Sequence, residues 1–188
     1  MFEWLVVRML TVLGVFFSGG GAQVECSEPV VQLRRGRIAV SCVLLNPFSE
    51  DLLNVIDSGT PVTLTFICRL RNADGSPAFV PDTTVPHRVV KDLATSVYEV
   101  TLGTRTLLAE RFTEYSQFFR LETVALWPVD GARDAAPYYV EVSAKLEPMQ
   151  IHATGQAYDL MALWNYRVPR KRSATFTRRL LEERRVTP

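Results

Sequence analysis

Val62-Thr-Leu-Thr-Phe-Ile-Cys-Arg-Leu-Arg71 is the stretch on which the fold turns. Val62, Leu64, Phe66, Cys68 and Leu70 are apolar, and Thr63, Thr65, Ile67 and Arg69 fall between them. This period of two marks a strand with one face in a core and the other half solvated. The flanks agree: Gly59 and Pro61 precede the run, and Asn72-Ala-Asp-Gly-Ser-Pro77 follows it as a cluster of turn formers.

Upstream, Arg35-Gly36-Arg37 reads as a turn into a second strand, Ile38 to Leu45, with Ile38, Val40, Cys42 and Leu44 in the apolar phase. Between the two strands, Asn46-Pro47 is expected to open a short helix, Asn as N-cap and Pro at the first helical position. Glu50 and Asp51 would sit where the helix dipole favours negative charge. Leu52, Leu53, Val55 and Ile56 give an apolar stripe, and Gly59 suits a left-handed end.

Downstream, Val85 to Lys91 and Ala94 to Leu102 read as two strands, or one strand bulged near Asp92. Thr113 to Leu121 predicts a second short helix, with Phe112, Tyr115, Phe118 and Phe119 as packing groups. Val124 to Val129 is ambiguous. Tyr138 to Leu146 is a strand, with Tyr138, Val140, Val142, Ala144 and Leu146 on one face. Residues 147–175, which hold Trp164 and Tyr166, are expected to supply a final strand pair. Thr177 to Arg185 forms a basic helix or frays. The expected class is mainly β: a single antiparallel β-sandwich-like domain with two short helical insertions, preceded by a signal peptide.

The chain has 188 residues, 47% hydrophobic and 22% charged, which excludes a wholly disordered chain and a multi-span membrane protein. Met9 to Phe17 is an unbroken apolar run, extended by Leu5 to Val7 across Arg8. It is shorter than the ~20 apolar residues of a comfortable span. Gly20-Gly21-Ala22 supplies the small residues of a cleavage site before Gln23. Glu3 offsets Arg8, so the leading charge is poor, and an uncleaved anchor is the alternative. Val24-Glu25 does not suit the positions before a lipidated cysteine, which argues against lipidation of Cys26. The organisation expected is a signal peptide over 1–22, a β-rich body over 23–175 and a basic segment over 176–188, exported to a bacterial periplasm or held at the inner membrane.

Cys26, Cys42 and Cys68 are an odd count for an exported chain, so at least one is unpaired. Cys42 and Cys68 lie in the apolar phase of their strands, as small buried hydrophobes or as a bridged pair. No Cys-x-x-Cys or neighbouring His gives metal-ligand spacing.

Three segments resemble the DUF4390 family of bacterial exported domains of unknown function. They are Leu44-Leu-Asn-Pro-Phe-Ser-Glu-Asp-Leu-Leu-Asn-Val-Ile-Asp-Ser-Gly-Thr-Pro-Val-Thr-Leu-Thr-Phe66, His87-Arg-Val-Val-Lys-Asp-Leu-Ala-Thr-Ser-Val-Tyr-Glu-Val100 and Tyr138-Tyr-Val-Glu-Val-Ser-Ala-Lys-Leu146. The resemblance spans most of residues 30–170. It implies an exported β-rich domain and carries no catalytic residues. The chain departs from the pattern at Glu147-Pro148-Met149, where the family tends to carry Leu-Pro.

Catalytic signatures are lacking. His87, flanked by Pro86 and Arg88, reads as a surface or edge-strand residue, and His152 is the only other histidine. There is no Gly-x-Ser-x-Gly elbow, His-Glu-x-x-His or phosphate-binding lysine loop. Neither an enzyme nor a cofactor or metal is expected.

Charge is segregated. From Asn165 onward, eight basic residues (Arg167, Arg170, Lys171, Arg172, Arg178, Arg179, Arg184 and Arg185) face only Glu182 and Glu183. That leaves the stretch six net positive charges. The rest of the chain, whose total is +1, therefore has five net negative ones. These residues are the candidate contacts with an anionic membrane surface or an acidic envelope protein. Nucleic acid is set aside, because an exported chain rarely meets it. The expected role is a non-enzymatic envelope module that binds another envelope component. The alternative is a β-rich carrier or sensor of a lipid or other hydrophobic ligand, with Phe112, Tyr115, Phe118, Phe119 and Trp127 as its rings. If the basic end is only a docking tail, truncation after Pro169 leaves thermal stability almost unchanged.

Overall fold

The computed structural model describes residues 23–111, 117–151 and 156–186. The expected signal peptide, residues 113–116 of the expected 113–121 helix, Phe112, Tyr115 and His152 lie outside the described residues. The fold is mainly β and sandwich-like, with antiparallel sheets.

The strands in chain order are β1 (Glu25–Cys26), β2 (Val30–Arg34), β3 (Arg37–Leu45), β4 (Val62–Asn72), β5 (Thr83–Lys91), β6 (Tyr98–Leu102), β7 (Arg105–Ala109), β8 (Arg120–Pro128), β9 (Tyr138–Leu146), β10 (Met149–Ile151), β11 (Gln156–Tyr158) and β12 (Arg170–Arg172). Helix α1 spans Glu50–Asp57, α2 spans Arg178–Val186, and a 3-10 helix spans Leu160–Trp164. The larger sheet has the order β12-β9-β4-β5-β6-β7. In the smaller sheet β3 is central, paired with β1 and β2 and with β8. β10 and β11 form a separate hairpin.

The alternation in β3, β4 and β9 turns Ile38, Val40, Cys42, Leu44, Leu64, Phe66, Cys68, Leu70, Val140 and Val142 into one core. Phe118, Phe119 and Trp127 are buried in the same core, and Trp127 donates its indole N–H to the Pro81 carbonyl at 3.0 Å. All three cysteines are buried and unbridged.

Several expectations need correction. Helix α1 exists, but Ser49 caps it, its side chain accepting from the Leu52 N–H at 3.1 Å. Asn46 instead adopts a left-handed conformation (φ 51°) just past the end of β3. The helix expected over 113–121 gives way to a 3-10 turn over 117–119 and then to β8 from Arg120. Burial of both Phe118 and Phe119 in one core is served by that tight turn. Residues 147–175 do supply a strand pair, the β10–β11 hairpin, but Trp164 and Tyr166 lie in and after the 3-10 helix instead, and β12 joins the large sheet.

His87 is buried, not at a surface or edge, because β5 lies inside the sheet between β4 and β6. Val85, His87 and Val89 form its inward phase. The His87 Nδ1–H donates to the Phe118 carbonyl at 2.8 Å, and the ring meets Phe66 edge-on. Burial pushes its pKa below the ordinary 6.5, opposed by the Phe118 carbonyl and the Glu122 charge. The unfolded chain therefore binds the proton more readily. The resulting stability is fully present above pH ~6.5 and is lost as pH falls through the folded pKa. Between pH 7.5 and 5, denaturant titration should show a decline of at most about 1.4 kcal/mol per pH unit from this group. His87→Asn, which keeps a donor for Phe118, should flatten that slope. An unchanged slope would remove His87 as its source.

The expected basic segment 176–188 is not separate from the body. Phe176 bridges Tyr138, with backbone bonds of 2.8 Å in both directions, and its ring is buried. Leu181 of α2 is buried in the core, and α2 packs on β2. The expectation that truncation after Pro169 spares stability is overturned, because the apolar side chains interleaved with the arginines are core residues.

Candidate anionic-surface contact

The eight candidate basic residues fall into two groups. Arg170, Lys171 and Arg172 form β12, an edge strand paired only with β9, and Arg167 lies just before it. Three consecutive cationic residues also suit an edge that must not pair with another chain. Arg178, Arg179, Arg184 and Arg185 lie on α2. There Arg178 pairs with Glu182 at 2.9 Å and Asp134 at 3.5 Å, and Arg179 pairs with Glu183 at 2.9 Å. Helix pairs at i,i+4 neutralise much of that group's field. Arg184 lines a cleft with Val30, Val31 and Leu181. The net positive end thus resolves into a helix on which two of four arginines are paired with glutamates, and a cationic edge.

On the outer face of the large sheet, β12 meets residues that the sequence reading did not select. Register places Arg170 opposite Ser143 and Arg172 opposite Glu141, with Arg69 on the far side of Glu141. The Glu141 side chain is only 10% exposed, and three guanidiniums surround it: Arg69 at 3.5 Å, Arg172 at 3.5 Å and Arg170 at 4.0 Å. Arg69 also donates to Ser143 Oγ at 3.1 Å and to Asp82 at 3.0 Å, and Arg71 reaches Asp82 at 3.0 Å. The Arg172 guanidinium lies 4.9 Å above the Tyr139 ring. Four cations against two carboxylates leave the cluster two net positive charges. The alternation of β4 marks Arg69 as outward. That β4 and β9 are neighbours is a non-local fact which no local pattern carries.

Compared with protein-family profiles, curated proteins and solved structures, the chain matches none.

β12 also borders an open groove of about 530 Å³, lined by residues 23–26 and 167–171. Arg167 donates to the Gln23 side chain. In the groove Arg167, Arg170 and Lys171 face one acid, Glu25. Among the described residues no cluster of three or more His, Cys, Asp or Glu side chains has the arrangement to hold a metal ion.

Glu141 holds the outer cluster together. Glu141→Gln should cost about 1–2 kcal/mol in denaturant titration, less than a fully buried pair because Arg170 and Arg172 are exposed. Stability equal to the parent's would mean that the three arginines need no counter-charge.

Proposed function

We propose that this chain is an exported, non-enzymatic module of the bacterial envelope that binds an anionic envelope component through the β12 edge. The observation that carries the reading is the set of four guanidiniums, Arg69, Arg71, Arg170 and Arg172, gathered around two carboxylates on one sheet face. Arg170 and Arg172 turn most of their side-chain surface to solvent, so their remaining donors are open to a ligand. The apolar N-terminal run and the resemblance to exported bacterial domains support the compartment.

The attraction is electrostatic, and salt screens exposed charges. The chain from Gln23 should co-sediment with isolated envelope membranes at low salt and be released at high salt. Arg170→Gln with Arg172→Gln should weaken binding at least tenfold, since each cation near an anionic surface contributes roughly 1 kcal/mol. Glu141→Gln should strengthen binding while lowering stability. Binding that ignores both salt and the double substitution would sink the proposal.

A further inference from the structure

At the groove, three observations meet at one end of the molecule. The first is the tie of Gln23 to two neighbouring segments. The Gln23 carbonyl accepts from the Asn46 side chain at 3.5 Å and the Gln23 amide oxygen accepts from Arg167. The second is a set of exposed apolar side chains around that point. Leu45, opposite Glu25 in the register, is 45% exposed, Val168 on the groove wall is 47% exposed, and Tyr166 is 68% exposed. The third is charge: among the described lining residues Arg167, Arg170 and Lys171 meet one acid, Glu25, with Arg170 also 4.0 Å from Glu141.

Tyr166 is held out at a conformational cost. Asn165 (φ 52°) and Tyr166 (φ 57°) are consecutive left-handed residues that close the 3-10 helix, the Tyr166 N–H donating to the Met161 carbonyl at 2.8 Å. Asparagine tolerates that conformation, but a bulky aromatic rarely adopts it, and glycine would suit it better. A strained backbone that displays a tyrosine to solvent is a reason to look for its use. Tyrosine with basic neighbours and scattered apolar side chains is the composition that sits at the headgroup level of a bilayer.

We infer that this end is a membrane-facing surface, on which Leu45, Tyr166 and Val168 enter the headgroup region of an anionic lipid leaflet while Arg167, Arg170 and Lys171 contact its phosphates. The inference rests on the proposed docking of the β12 edge, and it names lipid as the anionic component and the groove side as the side that meets it. The leaflet is favoured over an acidic protein because exposed aliphatic and tyrosine side chains stand beside the cations, and a headgroup region takes up both.

The test uses the chain from Gln23 with vesicles of phosphatidylglycerol and phosphatidylcholine, and with vesicles of phosphatidylcholine alone. Binding should require the anionic lipid. Arg167→Gln with Lys171→Gln, and separately Tyr166→Gly with Val168→Ser, should each weaken binding at least tenfold. Tyr166→Gly alone should leave the melting temperature unchanged or raise it, so its loss of binding is not a loss of fold. Arg178→Gln with Arg179→Gln, on α2, should leave binding within twofold. The inference is overturned if the α2 variant loses as much as the groove variants, or if the Tyr166–Val168 variant binds like the parent. Salt-sensitive binding to envelope membranes without binding to pure lipid vesicles would identify an acidic protein as the partner. In that case the proposed docking stands and the lipid surface falls.

Discussion

Truncation after Pro169 should abolish the cooperative unfolding transition. The cut removes β12, the buried Phe176 and the buried Leu181 together. Emptying a buried Phe or Leu site costs about 2–5 kcal/mol each. The total approaches the 5–15 kcal/mol that holds a typical domain folded. The cut also strips Arg170 and Arg172 from Glu141 and bares the edge of β9. A milder cut after Thr177 keeps β12 and Phe176 and removes only α2. It should lower the melting temperature by about 5–15 °C, from the loss of Leu181 at 2–4 °C per kcal/mol. Thermal melts followed by circular dichroism check both. If the 23–169 chain melts within a few degrees of the parent, Phe176 and Leu181 are not core residues in solution.

How much was legible follows from how local each signal is. The strands β3, β4 and β9 could be read because alternation is a property of neighbouring residues, and the observed spans differ from the expected ones by no more than a residue at either end. The same alternation carried His87, since Val85, His87 and Val89 share one phase, but a polar residue beside Pro86 suggested a surface. What decided its burial was β6, which pairs on the far side of β5 and makes it an interior strand. The aromatic residues near 118 suggested a helix because two adjacent rings can both pack. A 3-10 turn achieves the same burial in three residues. Thr177 to Arg185 read as a basic helix or a frayed end, and nothing local revealed that β2 packs against it.

The candidate site illustrates the same limit more sharply. Arg69 and Glu141 are 72 positions apart, and their contact depends on β4 and β9 pairing. Counting charge along the chain found the basic end but weighed Arg170 and Arg179 alike. The fold separates them. Arg179 pairs closely with Glu183, one helical turn away, whereas Arg170 shares Glu141 with two other arginines and stands 4.0 Å from it. Net charge by segment therefore locates a cationic region, and register decides which part of it has charge left for a partner.

Cys68→Asp should be the most damaging single substitution considered, costing about 4 kcal/mol or more. Cys68 lies mid-strand in β4, opposite Val142 on β9 and Thr83 on β5, and is fully buried. Burial is the main reason its thiol is pushed up to about 12. The neighbouring ionisable group on the core side is the Cys42 thiol, while the Arg69 guanidinium is engaged on the outer face by Asp82, Glu141 and Ser143. A carboxylate at position 68 has no counter-charge there, so its folded pKa rises above the unfolded value of about 3.9. The sign is fixed by that shift. The folded state holds the proton more tightly, so the penalty from charge is absent below pH ~3.9 and grows as pH rises through the folded pKa. Cys68→Ala removes only a small apolar group and should cost about 1 kcal/mol, because no disulfide is lost. Denaturant titration of both variants, under reducing and non-reducing conditions, separates the possibilities. An alanine variant that loses more than about 2 kcal/mol only under non-reducing conditions would show that Cys68 is bridged in the exported protein.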